Sequence, residues 1–212
     1  MVSEQILKSR TALRKELREA RRALSAVQQE EAAVGIAEQL HQLPLLKHAR
    51  NIGGYLVNDG EVDLGPYIAS QWQSTSSKQF ALPVLHPIFK GHLLFLFYSS
   101  HTALVNNKYK IKEPALSCQN VLPTSQCDVI LMPLVGFDIK GNRLGMGGGY
   151  YDRTLAFTQT KRYSRDQLSP KNPKLVGIAH DIQEVKSLPI APWDVPLDAI
   201  VTPTRTLIFN NT

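Results

Sequence analysis

Apolar residues near the start of the chain recur at the spacing of an α-helix. Over residues 5–24 the apolar positions are Ile6, Leu13, Leu17, Ala20 and Leu24. At about 100° per residue they fall within an arc of roughly 60°, which predicts an amphipathic helix. Arg10, Arg14 and Arg21 border this face, so their guanidinium groups can point into a cleft. Arg18 and Arg22 lie further round and are expected to be solvated. A solvated face containing all five arginines is the alternative.

Further along, the pattern alternates between helices and short apolar runs. Ser25 with Gln28 is a capping-box pattern, which predicts a second helix that runs until Pro44, and a third helix is predicted at residues 65–73. The segments 99–125 and 158–173 are assigned to loops. Apolar runs of strand length occur at residues 51–57, 80–85, 92–98, 128–132, 174–179 and 198–202, the last being the final predicted strand.

Strands that alternate with helices favour an α/β fold. We expect a three-layer α/β/α sandwich with a largely parallel central sheet, a mixed sheet being left open, and a single domain over residues 1–212. Ligands of such sheets bind beyond the carboxyl ends of the strands. The glycine-rich segment after Met132, the turn after Val57 and the His180–Asp181 pair are therefore expected to converge, provided that their strands are parallel.

Composition narrows the class of protein. Hydrophobic residues make up 43% and charged residues 20% of the chain, as in ordinary globular proteins. No apolar run approaches the length that spans a bilayer, and the N-terminal segment lacks the apolar core of a secretory signal. We therefore expect no membrane association and a cytoplasmic location. The two cysteines, Cys118 and Cys127, are expected to be reduced thiols.

The formal net charge of +6 suits a nucleic acid or a polyanionic small substrate. Residues 1–24 hold seven Lys or Arg against three Glu, so most of the excess lies in the first predicted helix. A nucleic-acid-binding protein is one reading of this charge. No basic patch with interleaved aromatic residues accompanies it, and we expect no nucleic-acid partner. The sequence does not determine the oligomeric state, although we favour a monomer.

Residues 141–149, GNRLGMGGG, follow a predicted strand and precede a segment that can be helical. Glycine N–H groups and a helix start can cradle a phosphate, with Arg143 before the glycines as a cation and Asp152 after them as a metal ligand. The spacing matches neither of the two common nucleotide-binding motifs. A flexible turn before a helix is the alternative.

The string FDIKGNRLGMGGGYYDRTL, preceded by MPLVG, resembles the C-terminal signature of the 5-formyltetrahydrofolate cyclo-ligases. The segments RRALS, LVNDGEVD, LPVLHP, KIKEP and WDVPLDAIVTP extend the resemblance in order over nearly the whole chain. It implies a ligase of one-carbon metabolism that uses ATP and Mg²⁺ to convert 5-formyltetrahydrofolate, a reduced folate, into 5,10-methenyltetrahydrofolate, ADP and phosphate. In that reaction the formyl oxygen is phosphorylated and N10 closes the ring.

The resemblance also implies the residues of the site. It assigns catalysis to Arg143 and Tyr151, the metal to Asp152 and Asp194, and folate contacts to Leu56, Glu61, Tyr109 and Tyr150. The implied ATP-binding residues are Arg10, Arg14, Arg143, Leu144, Gly145, Met146, Gly147, Gly148, Gly149, Tyr150 and Tyr151.

The chain departs from some relatives at two positions of the glycine-rich segment. Some eukaryotic relatives carry basic residues where this chain has Met146 and Gly148, so the phosphoryl charge would be met by Mg²⁺, backbone N–H groups and the remaining arginines. Because a fold does not determine a function, another phosphate-handling α/β enzyme, such as a sugar-phosphate isomerase, stays as an alternative.

Overall fold

The computed structural model describes residues 3–74, 76–159 and 172–209 of the protein. It is organised around an eight-stranded sheet in the order β12-β11-β10-β7-β1-β2-β3-β6. Strands β11, β10, β7, β1 and β2 run parallel to one another, whereas β12 at one edge and β3 and β6 at the other join antiparallel. The predicted largely parallel sheet is thus confirmed, and it is mixed.

The strands of the sheet are β1 (Asn51–Gly53), β2 (Gln79–Leu85), β3 (Leu93–Tyr98), β6 (Val121–Leu122), β7 (Val129–Pro133), β10 (Lys174–Ile178), β11 (Ala199–Val201) and β12 (Thr206–Ile208). Two hairpins lie outside it, β4 (Leu104–Asn106) with β5 (Lys112–Pro114) and β8 (Gly136–Phe137) with β9 (Arg143–Leu144). The helices are α1 (Glu4–Arg22), α2 (Ala26–Gln42), α3 (Gly65–Gln73) and α4 (Tyr150–Leu155).

Local chemistry explains where the helices begin. The Ser3 hydroxyl accepts a hydrogen bond from Ile6 N ahead of α1, and Ser25 and Gln28 form the predicted capping box of α2. Pro66 stands in the first turn of α3, where a missing N–H costs nothing. None of the described helices is long and apolar enough to cross a membrane.

Each face of the sheet has its own core. One face packs on α2 and α3 through residues such as Ile36, Leu40 and Tyr67. The other face packs on α4 and the residues around the β8–β9 hairpin, including Phe137 and Leu155. Strand β7 contributes to both cores, because Val129 and Leu131 face one side and Ile130 and Met132 the other. The sheet therefore has helices on both faces, as predicted.

Several predictions need correction. The first predicted strand ends at Gly53, not at residue 57, and the strand predicted at 198–202 is not the last, because β12 pairs with it. The segment 99–125 holds the β4–β5 hairpin and β6, and the glycine-rich segment includes β9, which pairs with β8. These strands have two or three residues each, which is too short for a hydrophobic period to be visible. Of the loop predicted at 158–173, residues 160–171 lie outside the described residues.

Candidate active site

The three segments expected to converge do so. They follow β1, β7 and β10, which are adjacent and parallel in the sheet. His180 Nε2 lies 3.1 Å from the carbonyl oxygen of Gly60, so the turn after β1 meets the segment after β10. Gln183 Nε2 donates to the carbonyl oxygens of Leu134 and Val135, which follow β7. Helix α1 packs against the same residues through its contacts with β8 and residues 181–183.

Residues 145–149, here called the glycine loop, connect β9 to α4. Gly147 has a φ of 95° and Gly149, directly before α4, a φ of 65°, conformations that favour glycine. Arg153 anchors the loop, because its side chain donates hydrogen bonds to the carbonyl oxygens of Gly148 and Gly91. The loop is therefore tied to the connection between β2 and β3.

Arg14 of α1 lies directly against the glycine loop. Its Nε donates to the carbonyl oxygen of Gly145 at 2.8 Å, and its guanidinium carbon lies 3.5 Å from where a Cβ on Gly147 would stand. Arg14 forms no ion pair with any residue that the structure describes. Burial, and then the charge of Arg10, lowers the pKa of Arg14, while the charges of Asp194 and Asp152 oppose this. Within the described residues, Arg14 is thus a cation without an ion-pair partner.

Arg10, in contrast, is fully engaged. Its two terminal nitrogens donate to the two carboxylate oxygens of Asp194 at 2.6 and 2.8 Å, and Nη1 also donates to the carbonyl oxygen of Pro189. Asp194 accepts a further bond from Ala191 N at 2.8 Å. Arg10 is 5% exposed. This bidentate pair fastens α1 to the loop that precedes β11.

Arg143 and Asp152 form a second buried ion pair beside the glycine loop. The Arg143 side chain is 3% exposed and that of Asp152 is 17% exposed. Asp152 thus neutralises a buried arginine while its own side chain stays partly exposed. The Nε atom of Arg143 is buried and has no hydrogen-bond partner among the described residues. A buried donor of this kind can satisfy an incoming anion.

The two predicted metal ligands lie close together. Val195 N, in the residue after Asp194, approaches Asp152 Oδ1 at 3.5 Å, and the charges of both carboxylates act on Arg14. No group of three or more His, Cys, Asp or Glu side chains with metal-site geometry occurs in the described part of the chain. Two carboxylates suit Mg²⁺, which keeps several waters and takes further oxygens from phosphates. Asp152 fits better, since both oxygens of Asp194 already accept bonds from Arg10.

The turn after β1 is held by a cluster of arginines on α1. Asp59 has a φ of 54°, and its carboxylate pairs with Arg18, Arg21 and Arg22. The expectation that Arg18 and Arg22 are simply solvated is therefore wrong, although both stay partly exposed. Three cations around one carboxylate fix the turn against the last turn of α1.

Arg21 is fully buried and connects α1 to the turn after β1, to the segment after β7 and to the glycine loop. It donates to the carbonyl oxygens of Asp59 and Leu134 at 2.8 and 2.9 Å. Its Nη2 lies 3.7 Å from Glu61 Oε1 and 3.8 Å from the sulfur of Met146 in the glycine loop. Burial raises the pKa of Glu61 to about 7, while Arg21 and a hydrogen bond from Asn58 N oppose the rise.

Two tyrosines at the start of α4 have different surroundings. Burial raises the pKa of Tyr151 well above its usual value, and the charge of Glu61 adds to the effect, so Tyr151 stays protonated at neutral pH. The hydroxyl of Tyr150 lies 2.7 Å from that of Tyr109, and the two rings meet edge to face. Tyr109 is at the tip of the β4–β5 hairpin, which therefore reaches the start of α4, next to the glycine loop.

The remaining predicted residues vary in exposure. Leu144 is completely buried, so neither its side chain nor its backbone is exposed to a ligand. Met146, Gly147 and Gly148 are exposed, and Leu56 is half-buried between β1 and the Asp59 turn. The site thus brings the predicted residues into one region but engages Arg10, Arg143 and both predicted metal carboxylates in internal ion pairs.

Known proteins resemble this chain over most of its length. The sequence model of the 5-formyltetrahydrofolate cyclo-ligase family matches residues 6–203. The chain belongs to this family. It is 43% identical over 189 residues to the 5-formyltetrahydrofolate cyclo-ligase of Escherichia coli strain K12, an alignment that covers 89% of this chain and 97% of that one. The mitochondrial cyclo-ligase of Arabidopsis thaliana is 30% identical, covering 95% of this chain and 76% of that protein.

Solved structures of the cyclo-ligase family share the fold. The NMR structure of the 5,10-methenyltetrahydrofolate synthetase of Aquifex aeolicus matches with a TM-score of 0.77 and 27% identity, over 96% of this chain and 94% of that one. The synthetase of Mycoplasma pneumoniae matches with a TM-score of 0.67 and 26% identity, over 92% and 98%. The family, the ligase class and the α/β fold predicted from the sequence are confirmed.

The prediction from the sequence missed three residues that organise the site. Arg21 was placed at the border of the buried face of α1 but given no role, and Asp59 was read only as part of a turn. Arg153 was read as part of the helix after the glycines. The basic residues along one side of α1 indicate that a carboxylate faces them, but the sequence does not identify this carboxylate as Asp59.

Proposed function

We propose that the protein converts 5-formyltetrahydrofolate and ATP into 5,10-methenyltetrahydrofolate, ADP and phosphate. The observation that carries this proposal is the meeting, in a member of the cyclo-ligase family, of the glycine loop, the unpaired Arg14 and the carboxylate of Glu61 at the carboxyl edge of three parallel strands. A phosphate donor and a substrate with N–H donors both find complementary groups there.

The phosphates of ATP would lie on the glycine loop beside Arg14. Exposed glycines let backbone N–H groups approach the phosphate oxygens, and Arg14 supplies a charge that no carboxylate among the described residues neutralises. Arg143 can add its free Nε from the buried side. Arg10 acts differently in this proposal, because it holds the Asp194 loop in place and so fixes the position of α1.

The chemistry is a phosphoryl transfer followed by ring closure. The formyl oxygen attacks the γ-phosphorus in line, and the bond to the oxygen of ADP breaks. N10 then attacks the activated formyl carbon, the N10 proton is lost and phosphate leaves with the former formyl oxygen. An amide oxygen is a weak nucleophile, so the enzyme must mainly position the two substrates and stabilise the transferred charge.

Tyr151 and Arg143 are the proposed catalytic residues. Tyr151 stays protonated, since burial raises its pKa, and can therefore donate a hydrogen bond to the formyl oxygen or to the transferred phosphoryl group. Arg143 lies below the glycine loop, where its charge stabilises negative charge that develops on the phosphoryl oxygens. Neither residue needs to act as a base in the phosphoryl transfer, because the attacking formyl oxygen carries no proton.

Asp152 is the proposed Mg²⁺ ligand, and Asp194 would contribute through a water molecule. Asp152 has one carboxylate oxygen that accepts no hydrogen bond from the described residues, which leaves it available to a cation. Bound there beside the phosphates, Mg²⁺ would spread the charge of the transferred group. Asp152 would keep its bond to Arg143 through the other oxygen, so the guanidinium group stays in place.

The folate would occupy the side of the site that contains Glu61. An ionised carboxylate can accept hydrogen bonds from the N–H groups of the reduced pterin ring, and Leu56 lies nearby in sequence to cover an apolar edge. The Tyr109–Tyr150 pair closes the glycine-loop side with two aromatic rings. The β4–β5 hairpin would thus contribute to the folate site and not to the ATP site.

The decisive experiment mixes purified protein with 5-formyltetrahydrofolate, Mg²⁺ and ATP and follows the near-ultraviolet absorbance of the methenyl product. We expect product and ADP in equal amounts, and no product without ATP. Arg14→Met should raise the KM for ATP at least about tenfold, since a charge-assisted contact contributes about 1.5–3 kcal/mol. The matched control is Arg22→Met, which removes another cation of α1, one that pairs with Asp59.

Two results would contradict the proposal. One is the absence of an ATP-dependent product. The other is thermal stabilisation of the protein by a sugar phosphate but not by ATP with Mg²⁺, which would favour the alternative of a sugar-phosphate enzyme.

A further inference from the structure

Arg21 is more deeply buried than its position on an amphipathic helix requires. Its side chain is 0% exposed, although an arginine near the end of a surface helix can point its charge into water. The guanidinium group donates to two backbone carbonyl oxygens, one from the Asp59 turn and one from the segment after β7. Burying this charge is costly unless every partner is in place.

The remaining contacts of Arg21 face both halves of the site. The same nitrogen, Nη2, donates to Asp59 Oδ2 at 2.7 Å, lies 3.7 Å from Glu61 Oε1 and lies 3.8 Å from the Met146 sulfur. Glu61 is on the proposed folate side, and Met146 is in the glycine loop. One rigid group therefore sets the separation between the two.

We infer that Arg21 is a positioning residue, which places its positive charge beside the Glu61 carboxylate and holds that carboxylate at a fixed distance from the glycine loop. It acts through Glu61 and does not itself contact the substrates. Because Glu61 is a proposed folate contact, the inference rests on the proposed function. It assigns a role to a residue that neither the glycine-loop motif nor the Arg10 and Arg14 pair includes.

The electrostatic surroundings of Glu61 agree with this role. Burial raises the pKa of Glu61 to about 7, and Arg21 is the largest influence that lowers it, ahead of the bond from Asn58 N and the charge of Arg18. Tyr55 and Tyr151 also face Glu61, and burial raises the pKa of each, so both stay neutral. His180 bonds to Gly60 from the other side, and burial lowers its pKa.

These directions predict a specific pH dependence. If the ionised form of Glu61 binds folate, kcat/KM for folate rises with pH through the pKa of Glu61. Removing the charge of Arg21 raises that pKa, and this acid limb of the profile then moves to higher pH. A shift of about one unit, from 7 to 8, would lower kcat/KM about eightfold at pH 6.5 and by less than about 20% at pH 9. A purely structural loss would lower kcat/KM similarly at both pH values.

The test compares pH profiles of kcat/KM for the wild type, Arg21→Met and Arg21→Lys at saturating ATP. We expect the acid limb to move upward in Arg21→Met. In Arg21→Lys we expect a smaller shift but a higher KM for folate, since lysine keeps the charge and loses the fork that reaches Asp59 and Glu61 together. Arg22→Met is the matched control, because Arg22 also pairs with Asp59 but does not reach Glu61. Its acid limb should stay in place.

A double-mutant cycle with Glu61→Gln separates action through Glu61 from general destabilisation. In the Glu61→Gln background, Arg21→Lys should change folate binding by less than about twofold, measured by calorimetry without ATP, because the charge on which Arg21 acts is already absent. If Arg21→Met does not fold, Arg18→Met provides the same test with a smaller shift, since Arg18 also lowers the pKa of Glu61 and is partly exposed.

Three outcomes would overturn the inference in an otherwise active enzyme. They are an acid limb that does not move in any Arg21 variant, an activity loss of the same size at pH 6.5 and pH 9, and additive effects of Arg21→Lys and Glu61→Gln. An inactive wild type would instead contradict the proposed function, so the two failures can be told apart.

Discussion

Asp152 has two tasks that its variants can separate. Its carboxylate neutralises the buried guanidinium group of Arg143, and it is the better of the two predicted metal ligands. Removing the side chain affects both tasks, whereas an isosteric amide keeps an acceptor for Arg143 and loses most of its affinity for a cation. The choice of substitution therefore decides what is measured.

We predict that Asp152→Ala lowers the free energy of unfolding by about 3–5 kcal/mol, because it leaves Arg143 buried without a counterion. Asp152→Asn should lose much less stability but should weaken the dependence of ATP binding on Mg²⁺. Urea denaturation and calorimetric titration of ATP at several Mg²⁺ concentrations measure the two effects.

The matched control for these variants is Asp198→Asn. Asp198 is 16% exposed, pairs with Lys174 and accepts a bond from Leu175 N at the opposite end of β10. Its substitution should leave the Mg²⁺ dependence unchanged. If Asp152→Asn retains the wild-type Mg²⁺ dependence, Asp152 is not a metal ligand.

At the scale of elements, α1 and the β4–β5 hairpin build the site from opposite sides. Helix α1 contributes Arg10 to the Asp194 loop, Arg14 to the glycine loop and Arg21 to the Asp59 turn. The tip of the hairpin reaches the start of α4, where Tyr109 meets Tyr150. The helix is thus held by buried charges and the hairpin tip by one hydroxyl pair, so the hairpin is the easier element to perturb without unfolding the protein.

We predict that Tyr109→Phe raises the KM for folate about two- to tenfold and leaves the KM for ATP unchanged, since one neutral hydrogen bond contributes about 0.5–1.5 kcal/mol. Tyr109→Ala should have a larger effect, because it also removes the ring. Tyr98→Phe, at an aromatic pair with Trp72 elsewhere in the molecule, is the control. An increase in the KM for ATP alone would place the hairpin tip on the nucleotide side.

At the scale of the whole molecule, the site concentrates charge that the core must accommodate. The carboxyl edge of the sheet holds buried Arg10, Arg21 and Arg143 together with the largely buried Glu61 and Asp59. Four of the five arginines of α1 form ion pairs with carboxylates of the site region, so most of the charge of these arginines is paired within the protein.

We predict that Glu61→Gln stabilises the protein at pH 8 but not at pH 5. The folded-state pKa of Glu61 is raised to about 7, so folding favours the protonated carboxyl, and this contribution is present below pH 4.5 and lost as pH rises to 7. Glutamine is neutral at every pH, and the gain at pH 8 should reach up to about 3 kcal/mol. Urea unfolding at both pH values measures it. An equal change at both would contradict the raised pKa.

A large part of the architecture could be predicted from the sequence. The 3.6-residue period of α1, the Ser25–Gln28 capping box and the fully apolar run of β7 are local patterns, and each is confirmed. The strands of the two hairpins were not predicted, because a strand of two or three residues is too short to show an alternation of apolar and polar positions. The edge strand β12 was missed because its assignment depends on pairing with β11 and not on its own composition.

Sequence alone was sufficient for the family, the largely parallel sheet and the meeting of three segments at its carboxyl edge, because parallel strands bring their ends together wherever the chain runs. Only the tertiary structure decided which charges are free and which are paired. Arg10 and Asp194 are 184 positions apart, and Arg21 and Asp59 are 38 apart. Helical spacing relates only residues that are three or four positions apart. No local pattern could therefore predict that Arg14 has no ion-pair partner among the described residues, or that Arg21 lies beside Glu61.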